Sequence, residues 1–468
     1  MNGMETAAVK KFRDLAVRTE QELVFGQAAH PVACGFGLTI GAGTVFPEVN
    51  FTLPAVEISA ANWPEVLAHY REIAKGVIRR AHALKTPGIV LEFELLPAMT
   101  ETPEWGAEIT ALLHESLESA HQHLGLRSAL RVTPTDIRDR AHRPLLREGP
   151  SWEKLQRSSA LCAAAGADIL SIESVGGKEL HDYGLMYGDV RAIVCALGVL
   201  APRDMAWLWD HISATAAAVP GTIAGGDTAC GFANTAMQLA HQKMLPEVLA
   251  AVVRAMSAAR SLVAMEHGAV GPSKDCAYEG PVLKAIAGCP ISMEGKSAAC
   301  AHFSPVGNVA SAMCDLWSNE SVQNIRLLAG NAPEVFTEVL AYDCRLMNAA
   351  KASGQPNTLR DWLVASDERL SPQALLLSPA STIRIADAIV SSPGDYRRTV
   401  AAGLEAVSIL MDADANGRLD PLSKREKVWL GKLAAELECL PDEEGSLLEE
   451  MLAEHSDLVD PSSYGLGR

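Results

Sequence analysis

Residues 89–133, IVLEFELLPAMTETPEWGAEITALLHESLESAHQHLGLRSALRVT, decide the fold. They open on a short β-rich apolar run, Ile89 to Leu95, and close on another, Leu130 to Thr133. Between the two runs, Ile109, Leu112, Leu113 and Leu117 recur at helical spacing and share one face. A strand, a helix and a second strand in that order imply a parallel sheet covered by helices. The alternation continues on both sides. Asp168 to Ile172 reads as a further strand, and two more helix faces are marked by Val190, Ile193, Val194 and Leu197, then by Leu249, Val252, Val253 and Met256. An open dinucleotide-type sheet should carry GxGxxG between strand and helix. The nearest candidate, Gly35 to Gly41, has the wrong spacing and lies in no clear βαβ unit. Strand–helix repeats spread over roughly 300 residues fit a TIM-type (β/α)8 barrel instead, here with additional N-terminal segments.

After about residue 352 the character changes. Gly354-Gln355-Pro356 reads as a break, Ser-Pro turns recur at Ser371-Pro372, Ser378-Pro379 and Ser392-Pro393, and the last stretch is helical and acidic. The expected organisation is an α/β barrel catalytic domain over 1–352 and a mainly helical extension over 353–468, packed on the barrel.

The chain has 468 residues, 48% of them hydrophobic, so it can bury a large core. Its net charge of −17 leaves no basic surface to neutralise phosphates, which argues against nucleic-acid and anionic-membrane partners. The longest apolar stretches, such as Ile193 to Ala201, are far too short to span a bilayer, and no secretory apolar segment stands near Met1. Ten cysteines are scattered without a CxxC pair, as in reduced thiols, some buried and some on a metal; the expected compartment is the cytoplasm.

In a barrel, functional groups gather at the C-terminal ends of the strands. Reading each strand to its end gives Glu173 after Ile169 to Ile172, Cys230 after Ala224 to Ala229, and Cys276 in Gly271 to Gly280. All three lie in polar, glycine-containing loops, at sequence separations of 57 and 46 between successive members. Two thiolates and a carboxylate suit Zn²⁺ and leave a fourth position for substrate. On spacing alone Cys34 and Cys300 stand as alternatives. Glu92, Glu94, Asp227, Asp275 and Glu279 lie at or near strand ends as acid/base candidates or as loop carboxylates, and none is singled out. His267 and His302 read as hydrogen-bonded structural residues. Asp412 to Asp420 follows an EF-hand loop for nine positions, but Ser423 stands where the bidentate Glu belongs, so it reads as a solvated acidic turn.

Longer segments decide between these options. ADILSIESVGGKE (167–179), GGDTACGFANTAMQLA (225–240) and GAVGPSKDCAYEGP (268–281) resemble the zinc-containing, methanol-activating subunit of methanol:corrinoid methyltransferases. CGFGLTIGAG (34–43), LRVTPTDIRD (130–139), SMEGKSAACAHFSPVGN (292–308) and CDLWSNESVQN (314–324) belong to the same likeness. It is dense over residues 10–350 and looser through YRRTVAA (396–402) to the C-terminus. The resemblance implies one zinc per chain, on Glu173 in SIES, Cys230 in DTAC and Cys276 in KDCA. It also implies methanol as methyl donor and, as acceptor, the cob(I)amide of a separate small corrinoid protein. With all three ligands ionised the site would carry a net charge of about −1. A homo-oligomer, or a hetero-oligomer with the corrinoid protein, is expected. Two other functions share these residues: a corrinoid methyltransferase using a methoxylated aromatic or methylthiol, and a non-catalytic zinc-stabilised scaffold. A fourth protein ligand such as Cys300 or His302 would favour the scaffold.

Overall fold

The computed structural model describes residues 11–52, 57–140, 146–276, 278–295, 305–322, 326–328 and 330–466. The described barrel strands are β1 (Phe46–Thr52), β2 (Ile89–Glu94), β3 (Ser128–Thr133), β4 (Ile169–Ile172), β5 (Ile223–Asp227), β6 (Ser292–Glu294) and β7 (Leu316–Val322), with β2, β3 and β4 at the expected apolar runs and β5 at the run before Cys230. They make one parallel sheet in the order β5-β4-β3-β2-β1-β7-β6. Its two edges are joined by the irregular segment 270–276. On one side Val270 and Gly271 donate to Ala224 and Gly225 of β5, at 2.8 and 2.9 Å. On the other, Ser273 donates to Pro290 at 3.1 Å and Asp275 accepts from Glu294 of β6 at 3.0 Å. That segment is the eighth stave, and the sheet closes into the expected barrel.

The strands alternate as a closed barrel requires. Val49, Phe51, Leu91, Phe93, Leu130 and Val132 face the helices and belong to the main core. Glu48, Asn50, Glu92, Arg131 and Thr133 take the alternate positions and point inward, all of them buried. The lower end of the barrel is sealed by an antiparallel hairpin, Gln27–Cys34 with Leu38–Ala42. Cys34, Leu38 and Ile40 of the hairpin pack on Phe46, Val90, Ala129, Ile169 and Leu316, near the strand starts. Its turn needs Gly35: φ is +53°, and a Cβ there would lie 2.4 Å from the Ser128 carbonyl oxygen.

The helices that follow the strands cover the barrel, among them Trp63–Ala83, Pro103–Leu124, Pro150–Ala164 and Ala201–Ala217. Glu247–Glu266 is apolar enough to cross a membrane by composition, as is the stretch Val190–Ala217, yet both are buried inside the fold. Glu247–Glu266 is enclosed because Gly394–Ala415 runs along it, with Gly403 seated on Met256. Beyond residue 355 the described chain is helical from Pro356–Asp367 to Glu444–Glu454, followed by a short turn at Pro461–Tyr464. The Asp412 to Asp420 segment is the end of Gly394–Ala415 and the turn after it. Gly417 is left-handed at φ 65°, and Asp414 is paired with Lys427 at 2.8 Å.

Candidate metal centre

Three staves deliver one metal-ligating side chain each to the upper mouth of the barrel. Glu173 follows the last residue of β4. Cys230 lies three residues beyond β5 and opens a π-helical turn, Cys230–Asn234, of a kind frequent at functional sites. Cys276 ends the segment 270–276. One ligand atom from each of the three lies within 4.8 Å of those of the other two. An ion at usual Zn–S and Zn–O lengths, about 2.3 and 2.0–2.2 Å, can therefore reach all three. Among the described residues no fourth His, Cys, Asp or Glu joins that group. Its outer side faces a cavity of about 390 Å³ lined in part by Glu94, Thr135, Glu173, Lys178 and Gly231.

The donors resist ionisation as they stand. Burial, then the nearby Glu94 carboxylate, push the Glu173 carboxyl up to about 8. A hydrogen bond with Cys276 pulls the Cys230 thiol down, but burial and Glu173 outweigh it and leave it at about 11. Cys276 donates to Glu294 Oε1 at 3.3 Å, and Asn234 Nδ2 donates to Cys230 Sγ at 3.4 Å. Sites crowded with anionic donors in this way fit a cation.

Lys274 is the nearest protein cation and is fully buried. Its Nζ lies 2.5 Å from Asp275, 2.6 Å from Glu94, 3.1 Å from Glu92 and 3.7 Å from Glu173. Burial weakens its hold on the proton, yet Asp275, Glu92 and Glu94 keep the ammonium well above the ordinary lysine range. Asp275 also accepts from Asn50 and Ser318, both at 2.8 Å, which together with Lys274 keep it below the carboxylate range despite burial. Burial and Asp275 push Glu92 and Glu294 well above that range.

The remaining sequence candidates divide cleanly. Asp227 accepts from Trp209 Nε1 and the Thr228 N–H, both at 2.8 Å, and from the Ser174 N–H at 3.3 Å, bracing the Glu173 loop. Glu279 accepts from the Ala229 N–H and the Ser261 hydroxyl, both at 2.8 Å, bracing the Cys230 loop. His267 pairs with Asp210 at 2.8 Å just past the end of Glu247–Glu266. Cys34 lies in the hairpin at the opposite end of the barrel, its thiol pushed up to about 12 by burial. Cys300 and His302 lie outside the described residues. Glu294, Asn234, Arg254 and Arg260 were not expected at the site. They come from a short strand, a π-turn and a wholly buried helix, whose inward faces carry no periodic signal.

A sequence profile of the methanol-cobalamin methyltransferase B subunit (MtaB) family matches residues 9–465. The chain is 38% identical over 466 residues to the methanol–corrinoid protein co-methyltransferase of Methanosarcina barkeri, covering 98% of this chain and all of that one. It also superposes on a chain in the crystal structure of the methanol:cobalamin methyltransferase complex MtaBC from Methanosarcina barkeri. There the TM-score is 0.93 at 37% identity, over 98% of this chain and 100% of the other.

Proposed function

The chain belongs to the methanol-cobalamin methyltransferase B subunit family, and from that premise we propose that it transfers the methyl group of methanol to the cob(I)amide of a partner corrinoid protein, using a zinc ion on Glu173, Cys230 and Cys276. The observation that carries this reading is the meeting of a carboxylate and two thiols, from three separate staves, at the mouth of the barrel. Among the described residues three protein ligands meet there, the number held by catalytic zinc sites, which keep a fourth position for substrate.

Hydroxide is a poor leaving group, and zinc held there would supply a Lewis acid for the methanol oxygen as the C–O bond breaks. The reaction joins methanol, one proton and cob(I)amide into methyl-cob(III)amide and water; the cobalt supplies the electron pair of the new bond. The chain's own residues do the rest. Glu173 and the two cysteines would hold the ion at the mouth of the barrel. Lys274 gathers the surrounding carboxylates and lowers their mutual repulsion. Glu94 lines the cavity beside Glu173, anchored by Lys274 at 2.6 Å and Asn50 at 3.2 Å. As a carboxylate there it can accept the hydrogen bond of the methanol hydroxyl and orient the alcohol.

The test mixes the protein, zinc, cob(I)alamin and methanol and follows methylcobalamin by absorbance. Methylation that needs both methanol and zinc, and is lost in Cys230→Ala and Cys276→Ala together with the bound zinc, is the expected result. Turnover with a methoxylated aromatic or methylthiol but not with methanol would overturn the choice of donor.

A further inference from the structure

Four residues beyond Cys230, at the end of the same π-turn, Asn234 turns its side chain back onto the sulfur. The direction of that amide is set by its other neighbour. Arg254 Nη2 lies 3.0 Å from Asn234 Oδ1, and a guanidinium can only donate. The amide oxygen therefore faces Arg254, and the NH₂ has to face Cys230 Sγ. Arg254 is fixed in turn by Gln373, whose Oε1 accepts from Nε at 2.8 Å, and by the ring of Tyr278, 4.7 Å from its guanidinium carbon. Asn234, Arg254 and Gln373 are all buried.

Arg254 differs from the other buried cations near the site. Lys274 is shared by four carboxylates and Arg260 is paired with Asp227. Among the described residues Arg254 has no ion pair, and its Nη1 has no hydrogen-bond partner. A buried guanidinium is costly unless negative charge nearby balances it, and the groups whose charge acts on Arg254 are Glu279 first, then Tyr278, Cys230 and Glu294. Zinc with one carboxylate and two thiolates would leave a net charge of about −1. Resting on the zinc reading above, we propose that Asn234 and Arg254 form a positioning relay for the Cys230 thiolate: Asn234 donates an N–H···S bond that aims the sulfur and lowers its electron donation, and Arg254 fixes the amide and supplies the balancing positive charge. Gln373 extends this relay to the C-terminal helices.

The test uses the full-length protein loaded with Zn²⁺ or Co²⁺. Affinity is read by competition with a chromophoric chelator, and the Cys230–metal bond by the thiolate-to-cobalt charge-transfer band. Asn234→Ala should weaken zinc binding by about 10–100-fold, the range for loss of an outer partner, and shift the band, with the thermal transition of the metal-free protein little changed. Arg254→Met should reproduce both effects, and the double variant should be no worse than either single one. Arg254→Lys should restore affinity in part. Zinc affinity within two-fold of wild type and an unmoved band in Asn234→Ala would overturn the relay while leaving the zinc site standing. A wild-type protein that binds no zinc, or whose zinc survives Cys230→Ala, would overturn the zinc reading and the relay with it.

Discussion

Arg138 spends every N–H of its guanidinium in one place, and removing it gives a sharp measure of how the Glu173 loop is held. Its Nε and Nη2 donate to Asp136 at 2.9 and 2.8 Å, Nη1 and Nη2 to Asp204 at 2.8 Å each, and Nη1 to the Leu146 carbonyl at 3.0 Å. Arg138 and Asp204 are wholly buried and Asp136 nearly so. The loop after Glu173 rests on this clamp. The Val175 N–H donates to Asp136 at 3.2 Å, and a Cβ at Gly176 would lie 2.4 Å from Asp204. Arg138→Met strands two buried carboxylates, and breaking a buried pair from one side costs about 3–5 kcal/mol. With a urea m-value on the order of 3 kcal/mol/M or more for a chain of this size, the unfolding midpoint should fall by roughly 1 M. The internal control is Arg157→Ala, which removes an ion pair to Glu104 whose two side chains are 63% and 56% exposed and should cost less than about 1 kcal/mol. Adding Asp136→Asn and Asp204→Asn to Arg138→Met should recover part of the loss, because no charge is then left unpaired. If Arg138→Met costs no more than Arg157→Ala, the clamp carries no such weight and the reasoning fails.

Glu94→Gln should retain zinc but lower methylation from methanol by about 10²-fold; an unchanged rate would remove Glu94 from the orientation of methanol. Asp168 is pushed up to about 6, chiefly by burial, with the Leu130 N–H at 2.7 Å and His114 pulling back. A raised carboxyl pKa means that the native state binds the proton more tightly than the unfolded chain. The group's stabilising contribution is thus full below its ordinary pKa and is lost as pH rises through about 6. Asp168→Asn should abolish a fall on the order of 3 kcal/mol between about pH 4 and 7, read as the difference between urea titrations of the two proteins; parallel curves would contradict it. Gly35→Ala forces a left-handed residue with a side chain into the Ser128 carbonyl and should cost at least about 2 kcal/mol, measured by thermal melting, whereas Gly43→Ala, with open space around it, should cost only the backbone strain.

The barrel was legible because outward-facing positions such as Leu91, Phe93, Leu130 and Val132 are apolar, and because helix faces such as Ile109, Leu113 and Leu117 keep their period. The eighth stave was not. The segment 270–276 contains Gly271 and Pro272 and pairs irregularly, so no β-rich run marks it, and Cys276 could be placed only by its loop-like surroundings. The three candidate ligands were legible as strand-end residues, but spacing could not rank them above Cys34; the family resemblance ranks them first, and the barrel's geometry sends Cys34 to the far end. The partners of the ligands were hidden for a different reason. Asn234, Arg254 and Glu294 reach the site through side chains from elements whose sequence reads as helix or strand interior, and a pattern of polarity does not report which way a single amide points.

The polar filling of the barrel follows from what the mouth has to do. Apolar side chains would fill the interior at lower cost. Instead Arg131 of β3 binds Glu48 of β1 at 2.8 Å, Ser171 of β4 at 2.9 Å and the Pro272 carbonyl at 3.0 Å, tying together four staves. One layer higher, Asp275 joins β1 through Asn50 and β7 through Ser318. Each of these bonds lies on or next to a stave that ends in a candidate metal ligand: Ser171 two residues before Glu173, Pro272 four before Cys276, Asp275 directly before it. Hydrogen bonds have direction, and dispersion contacts do not, so this floor fixes the register of the staves more tightly than a layer of valines could. Three donors from distant parts of the chain can then meet within the few tenths of an ångström that metal coordination demands.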